Sequence, residues 1–303
     1  MHIPDQMLQG AVCPVTAVVG LAGVTLAAIA AARSDNKPGV ARFAAVSALI
    51  FAAQMLNFPV VEGTSGHLLG GVLAVALLGA PFAVLALTLV LMLQALVFND
   101  GGLLALGANV TNMALIGGLF GALLQSVMRR HDIPLLSRSL LFGLTGWIAV
   151  MAASLAVSAE LAASGTAAFS TIAPAMLGVH AWIGVGEALI TTAACLVWVS
   201  DRESATAADR KTMVILAAAL GAALFLSPLA SGLPDGLEFV SAAFGLLPAD
   251  GGVSLAPLSG YRFPGTIPAA VATGLAGFIG VLLTFSVAWL LGQRMNPHGK
   301  ICR

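Results

Sequence analysis

Charged side chains are scarce in this sequence: Asp, Glu, Lys and Arg make up 9% of its 303 residues, whereas 59% are hydrophobic. A soluble globular domain carries about 25% charged residues. Several apolar runs also exceed the roughly 18 residues that indicate a transmembrane helix. The scarcity of charge therefore predicts an all-α integral membrane protein. The formal net charge of zero disfavours nucleic acid as a partner, because proteins that bind it present a basic surface.

Cysteines and nucleotide-binding motifs are also lacking. Cys13, Cys195 and Cys302 are an odd number without metal-type spacing, so they predict no disulfide framework. A phosphate-binding loop, G-x-x-x-x-G-K-[ST], is absent: of the three lysines only Lys300 follows a glycine, and Ile301 comes next. The chain is therefore not expected to hydrolyse ATP, and we expect no organic cofactor. The zinc-protease motif H-E-x-x-H is absent as well.

The sequence begins with Met1 and His2, a pair that can chelate a metal ion. The Met1 amine, the His2 peptide nitrogen and the His2 imidazole would close a five-membered and then a six-membered ring, and His67 could add a fourth nitrogen. Four nitrogens in a plane suit Ni(II) or Cu(II). No basic segment precedes the first apolar run, so we do not expect a cleaved secretion signal. A histidine at position 2 is by itself usually an accident, so the hypothesis depends on the surrounding pattern.

Nine apolar stretches predict membrane spans, and the third is unusually short. Gly79-Ala80-Pro81 divides an apolar run that is too long for a single span. A half-length helix fits a segment that lines an internal cavity rather than lipid. The predicted spans are 11–32, 43–59, 67–79, 82–98, 103–128, 139–160, 172–199, 213–230 and 267–292.

The basic residues predict an orientation, because cytoplasmic loops are enriched in Lys and Arg. With nine spans and the N-terminus outside, all of the 13 basic residues except Arg262 fall on the cytoplasmic side, as does the C-terminus. Merging 67–98 into one span would scatter them over both faces. Met1, His2 and His67 would then share the outer face. The residues predicted to be cytoplasmic are Arg33, Lys37, Arg42, Arg129, Arg130, Arg138, Arg202, Arg210, Lys211, Arg294, Lys300 and Arg303.

A long connection, 231–266, separates the last two predicted spans from the first seven. It is predicted to be external and contains Pro234-Asp235-Gly236-Leu237-Glu238, in which Asp-Gly after Pro indicates a tight turn. The predicted architecture is therefore a seven-span bundle over 1–211 and a two-span appendage over 212–303.

Some polar side chains lie near the outer ends of spans, close to where His67 is predicted. Polar groups in lipid are costly and are usually functional or paired. An orienting contact to the His67 imidazole would make these residues supporting groups of the metal site. They are Asn57, Ser65 and Gln94.

Two further polar pairs are predicted within spans. Asn109 and Asn112 are one helical turn apart and share a face, and His180 and Glu187 also share one face. All four are candidate supporting groups of the metal site. For Asn112 and Glu187, hydrogen bonding between helices explains the pattern at least as well.

Six motifs occur together in the order of one known family. They are Met1-His-Ile-Pro-Asp5, Gln54-Met-Leu-Asn-Phe-Pro59, Gly63-Thr-Ser-Gly-His67, Gln94-Ala-Leu-Val-Phe-Asn-Asp-Gly-Gly102, Gly107-Ala-Asn-Val-Thr-Asn-Met113 and His180-Ala-Trp-Ile-Gly-Val-Gly-Glu187. Over roughly 1–225 the chain resembles the substrate-capture component of energy-coupling-factor transporters for nickel and cobalt. The tail, with Pro-Asp-Gly-Leu-Glu, resembles the two-span accessory component of these systems. Gln6 departs from the family, which usually has Gly there.

The resemblance implies metal capture at the outer face, in the inner (plasma) membrane of a prokaryote, by the Met1 amine, the His2 nitrogens and the His67 imidazole. It implies two kinds of partner: a membrane coupling subunit and cytoplasmic ATP-binding-cassette ATPase subunits. The chain itself would then not be an enzyme. We expect nickel as cargo and cobalt as the second choice, because a planar nitrogen set suits Ni(II), which also precedes Co(II) in divalent-metal affinity.

Two other functions stay open at this point. A self-sufficient secondary metal carrier would need no ATPase, although neither an intramembrane Asp pair nor a clear inverted repeat supports it. Gly63-Thr64-Ser65-Gly66 also resembles the G-x-S-G of rhomboid intramembrane proteases. In that distant alternative Ser65 would be the nucleophile and His180 its base.

Overall fold

In a computed structural model, which describes residues 1–61, 63–199, 205–246 and 256–295, the chain folds almost entirely into helices. The helices are α1 (Val12–Ala32), α2 (Val40–Gln54), α3 (Gly71–Leu78), α4 (Ala80–Leu93), α5 (Leu106–Asn109), α6 (Ile116–Met128), α7 (Leu135–Ala163), α8 (Phe169–Trp198), α9 (Ala205–Gly221), α10 (Gly236–Ala243) and α11 (Ala269–Met295). Wider or tighter helical turns extend α4 (Gln94–Phe98), join α5 to α6 (Val110–Leu115), extend α9 (Ala222–Leu226, Ser227–Leu229) and precede α11 (Ser259–Tyr261). Two short strands, β1 (Phe58–Pro59) and β2 (Ser65–Gly66), pair antiparallel.

Seven helical stretches of the described chain are long and apolar enough to cross a membrane. α2 and α3 are shorter, with 15 and eight residues. The predicted all-α membrane fold is thereby confirmed. The seven stretches are Val12–Ala32, Ala80–Phe98, Leu106–Met128, Leu135–Ala163, Phe169–Trp198, Ala207–Leu229 and Ala269–Met295.

The third predicted span, 67–79, contains only the short helix α3. Its eight residues rise about 12 Å, against a hydrocarbon thickness of about 30 Å. Gly70 and Gly79 bound it with φ angles of 77° and 84°, which other residues rarely adopt. Nearly all of its side chains are buried. The half-length helix therefore lies inside the protein, where its unpaired ends can find protein partners.

The second predicted span, 43–59, differs from the structure at its end. α2 stops at Gln54, and Phe58–Pro59 is extended and pairs with Ser65–Gly66. The reason is local: Pro59 has no N–H to donate, and its ring disfavours a helical conformation at Phe58. The resulting turn brings the segment that carries His67 back into the bundle.

The C-terminal helices α9 and α11 pack against α2. A Cβ atom added at Gly277 of α11 would lie 3.1 Å from the Ala223 carbonyl oxygen, and one at Gly292 would lie 3.1 Å from a Val40 methyl group.

The predicted division at 211/212 falls inside α9 and stays a prediction. Other sequence features used above lie outside the described residues: Arg202, Lys300, Cys302 and Arg303.

The contact between α3 and α6 depends on two glycines. A Cβ atom added at Gly117 would lie 2.8 Å from the Gly71 Cα atom, and the reverse distance is also 2.8 Å. Small residues let membrane helices approach in this way. Since both neighbours are backbone atoms, neither can move aside without shifting a helix.

We predict that Gly117→Val separates α3 from α6 and lowers the free energy of unfolding by about 1–3 kcal/mol, the usual cost of overpacking. Thermal unfolding in detergent measures this. Gly178→Val is the matched control, because a side chain at this exposed α8 position meets no atom within 4 Å. Equal unfolding temperatures for the two variants would contradict the prediction.

Candidate metal centre

The first three residues enter the bundle: Met1, His2 and Ile3 are 3%, 8% and 0% exposed. The backbone of Ile3 is clamped by Asn109, whose Oδ1 accepts from the Ile3 N–H at 2.8 Å and whose Nδ2 donates to the Ile3 carbonyl at 3.1 Å. The Gly102 N–H donates to the same carbonyl at 2.8 Å. Asn109, a candidate supporting residue, therefore holds the segment that carries the chelating pair.

Two glycines make room for this segment. Gly101 has a φ of 85°, and a Cβ atom there would lie 2.9 Å from Asn109 Nδ2 and 3.4 Å from His2 Cβ. A Cβ atom at Gly102 would collide with Asp5. Asp5 accepts hydrogen bonds from the two backbone N–H groups that follow Gly102. The Gly-Gly pair is thus a steric requirement of the inserted N-terminus.

Gln6 stands where the family usually has glycine, and its backbone explains that preference. Its φ is 71°, in the left-handed region that favours glycine. Gln6 adopts this left-handed conformation at a modest cost in conformational energy.

The Met1 amine lies beside the His67 imidazole. The Met1 nitrogen is 2.7 Å from His67 Nε2, and the His2 and His67 rings stack with centroids 5.1 Å apart. Two nitrogens bound at right angles to one ion, with bonds of about 2.0–2.1 Å, would be about 2.9 Å apart. Across the described residues, no three His, Cys, Asp or Glu side chains cluster as a metal site.

The His2 ring is bracketed by two polar side chains. Its Nδ1 lies 3.2 Å from Asp100 Oδ1, and its Nε2 lies 3.2 Å from Gln94 Oε1. Burial lowers the pKa of His2, and the neighbouring Asp100 carboxylate offsets this only in part. Metal binding requires the neutral ring, which burial favours, whereas the two oxygen contacts favour the protonated ring.

The turn that carries His67 is held by Glu187 of α8. The buried carboxylate accepts from the Leu69 N–H at 2.6 Å and from the Gly70 N–H at 3.0 Å. Gln54 Nε2 donates to the Leu69 carbonyl at 2.8 Å. These contacts fix the backbone beside His67, so Glu187 supports the site through the main chain.

The three groups expected at His67 contact other partners. Gln94 contacts His2. Ser65 Oγ and the Asn57 carbonyl oxygen bond to the backbone between α9 and α10. His67 Nδ1 lies 3.1 Å from the carbonyl oxygen of the next residue. The imidazole is thus oriented by its own turn rather than by these side chains.

The remaining two candidates lie at different distances from the site. Asn112 donates to Glu160 Oε2 at 2.7 Å, a bond between helices. His180 Nδ1 lies 2.8 Å from the Met176 carbonyl oxygen, while its ring borders the same small space as Met1 and His67. Within the described chain, the bonds of Ser65 and His180 run to these other groups, so the arrangement of a serine protease is not formed.

Three residues at the site escaped sequence reasoning: Asp100, Asp235 and Tyr261. Asp235 Oδ2 accepts from the Met1 amine at 2.6 Å and lies 3.8 Å from His67 Nε2. Burial alone would raise the pKa of Asp235, but the adjacent Met1 amine and the hydrogen bond from the Glu238 N–H hold it well below its usual range. The Pro-Asp-Gly-Leu-Glu motif was the available signal, but it indicated a turn and the resemblance of the tail rather than a contact with Met1.

The fold defines a multi-pass membrane protein, and the Met1 amine and the His2 and His67 rings form a cluster of nitrogen donors buried within it. Solved structures agree with this class: a truncated transition-metal transporter matches with a TM-score of 0.55 at 34% identity, covering 64% of this chain and 95% of that one. A second transition-metal transporter matches with the same score and identity, covering 90% of its own chain.

The chain belongs to the family described as the cobalt uptake substrate-specific transmembrane region, CbiM, whose model matches residues 2–205. A PDGLE domain follows over residues 209–296. A protein from Archaeoglobus fulgidus, named for a NikMN fusion, is 31% identical over 96% of this chain and 98% of its own length. The fused nickel transport protein NikMN of Rhodobacter capsulatus is 30% identical over 76% of this chain and 72% of its own length. The chain is thus a prokaryotic metal-uptake component of the CbiM type fused to a PDGLE domain.

We predict that Glu187→Gln loosens the His67 turn. The glutamine amide can accept only one of the two backbone N–H groups, and a buried N–H left without an acceptor costs about 1–3 kcal/mol. Amide hydrogen exchange at Leu69 and Gly70 should accelerate. Glu160→Gln is the matched control, because that carboxyl group binds Asn112 instead. If both variants exchange like the wild type at these amides, Glu187 does not hold the turn.

Proposed function

We propose that this chain captures Ni(II), with Co(II) as a second cargo, through the Met1 amine, the His2 peptide nitrogen and imidazole, and the His67 imidazole. The observation that carries the proposal is the 2.7 Å separation of the Met1 nitrogen and His67 Nε2 inside the bundle. These atoms are 66 positions apart in sequence. Burying a terminal amine is costly, and a ligand shared by the amine and the imidazole would account for their placement side by side.

Loading an ion requires a rearrangement of His2. Nδ1 is the ring nitrogen that closes a six-membered chelate with the peptide nitrogen of the same residue. It now lies 3.2 Å from Asp100 Oδ1, so the ion would replace that contact. The amine and the peptide nitrogen release protons when they bind, as ligating groups must. We expect a local turn of the His2 ring to bring Nδ1 to the ion and complete the chelate.

Nickel is favoured by the ligand set and by the relatives. A planar set of nitrogens suits Ni(II), which also precedes Co(II) in affinity for such sites. The Rhodobacter capsulatus relative carries nickel transport in its name, and a CbiM protein of Sorangium cellulosum, 31% identical over 49% of this chain, is named for cobalt transport. The Archaeoglobus fulgidus and Rhodobacter capsulatus relatives are both named as fused nickel transport proteins, and this chain also joins two family regions, which supports nickel here.

We predict that one extra residue before Met1 abolishes nickel binding. An extension turns the Met1 amine into a peptide nitrogen and moves the free amine one residue away, and the added residue has no room in a pocket where Met1 is 3% exposed. His2→Ala and His67→Ala should also abolish binding. Titration of the purified chain with nickel and cobalt in competition measures both affinity and preference.

His131→Ala is the control for this titration, because His131 is exposed in the α6–α7 connection. It should bind nickel like the wild type. Stoichiometric nickel retained by the extended chain would refute the chelate, and a preference for cobalt would overturn only the choice of metal.

We further propose that partner subunits supply the energy for transport. The sequence has no phosphate-binding loop of its own. Cytoplasmic ATP-binding-cassette ATPases would hydrolyse ATP, and a membrane coupling subunit would link them to this chain. α1 begins shortly after Met1 and His2 and ends just before Arg33. Because basic residues favour the cytoplasmic side, a membrane-spanning α1 would put the proposed metal site on the outer side. After capture, the bundle would topple in the membrane and release the ion inside.

We predict that liposomes containing this chain alone take up no nickel under an ion gradient, whereas adding the coupling subunit and ATPases makes uptake ATP-dependent. Radioactive or dye-detected nickel inside the vesicles is the measurement. Vesicles with the partners but without this chain control for leakage. Gradient-driven uptake by the chain alone would favour a secondary carrier instead.

A further inference from the structure

We propose that the C-terminal connector, defined as residues 231–246 and 256–266, positions both chelating residues of the N-terminus. Asp235 would hold the Met1 amine, and Tyr261 would hold the groups that bracket His2. Both would be positioning residues. The inference rests on the proposed function, because it concerns the same metal site, and it assigns a role there to the PDGLE region.

The first contact is the Asp235 carboxylate, whose direction is fixed by its own helix. Oδ1 accepts from the Glu238 N–H at 2.8 Å, and Glu238 Oε2 accepts from the Asp235 N–H at 3.0 Å, a complete capping box at the start of α10. Oδ2 is thereby left to accept from the Met1 amine at 2.6 Å. A Cβ atom at Gly236 would lie 2.9 Å from His180 Cε1, so glycine lets the helix start approach α8.

The connector is anchored on the turn that carries His67. The Ser65 N–H donates to the Pro234 carbonyl at 2.8 Å, and Ser65 Oγ donates to the Leu233 carbonyl at 2.7 Å. The Ser231 N–H donates to the Asn57 carbonyl at 2.7 Å. Asp235 is therefore held in register with His67 through backbone bonds, and its carboxylate lies beside both the amine and that imidazole.

The second contact is Tyr261, which closes a ring of hydrogen-bonding groups around His2. Its hydroxyl donates to Asp100 Oδ2 at 2.6 Å and accepts from Gln94 Nε2 at 3.1 Å. Asp100 Oδ1 lies 3.2 Å from His2 Nδ1, and Gln94 Oε1 lies 3.2 Å from His2 Nε2. One hydroxyl group thus ties together both side chains that contact the ring.

Tyr261 is itself firmly seated. Its ring stacks on Phe98 with centroids 4.8 Å apart and planes 21° apart, and its backbone has a φ of 56°. The Leu258 N–H donates to the Val97 carbonyl at 2.9 Å. An aromatic residue in a left-handed conformation is costly, so the surrounding structure must hold it there. This placement is what directs the hydroxyl toward Asp100.

The connector therefore reaches the metal site at two separate points, one at each chelating residue. Changing a group that orients a metal ligand typically weakens metal affinity about 10–100-fold. If the inference holds, loss of either side chain weakens capture, although neither is a ligand.

The test uses the full chain with Asp235→Asn and Tyr261→Phe, and with Arg262→Gln as the control. Arg262 adjoins Tyr261 in sequence and is exposed, so its change should leave the site intact. Nickel affinity is measured by competition with a chromophoric chelator, and the absorption spectrum of bound Ni(II) reports its ligand field. In the metal-free protein, an amine-reactive reagent reports access to the Met1 amine.

We expect Asp235→Asn to weaken nickel binding about 10–100-fold and to speed labelling of the Met1 amine. Tyr261→Phe should weaken binding and shift the Ni(II) spectrum, with labelling of the amine close to wild type. Thermal unfolding distinguishes a local effect from general destabilisation, which would move all readouts in both variants together and overturn the inference.

Wild-type affinity, spectrum and labelling in both variants would likewise overturn it and leave the proposed function standing. A wild-type chain that binds no nickel would instead overturn the proposed function.

Discussion

The burial of a terminal amine inside an apolar bundle is the constraint on which the rest of the structure depends. Such a group is costly to remove from water unless it is paired. Here the Met1 nitrogen has His67 Nε2 at 2.7 Å and Asp235 Oδ2 at 2.6 Å. The Asn109 clamp and the Gly101-Gly102 turn serve the same end, because they admit the segment behind the amine and hold its backbone. The bundle is therefore organised around a chain end rather than around a helix.

Irregular backbone near the site is the second consequence. The β1–β2 pair, the short helix α3 and the widened turns at Gln94–Phe98 and Val110–Leu115 all interrupt regular helices near the buried N-terminal segment. Membrane proteins tolerate such interruptions only where protein groups satisfy the freed backbone. Glu187 does this for the turn after His67. The buried polar groups thus stabilise a local geometry that a continuous helix could not present.

The fusion of two family regions in one chain acquires a structural meaning from the contacts. Residues matched by the PDGLE domain reach the N-terminal amine and the surroundings of His2. A covalent link makes this encounter intramolecular, so the connector is present at the site at high effective concentration. The CbiM and PDGLE regions are also joined through their helices, because α9 and α11 pack on α2.

The sequence by itself determined the membrane class, the helical stretches and the break at Gly79-Ala80-Pro81, because apolar runs and helix-breaking residues act locally. It also singled out Met1, His2 and His67, whose chemistry is legible from residue type. Only the tertiary structure decided which polar groups meet: Gln94 contacts His2, Ser65 bonds the connector, and Asp235 and Tyr261 join the site. Asp235 lies 234 positions from Met1. No local pattern encodes such a contact, since helix packing and the folding of the connector create it.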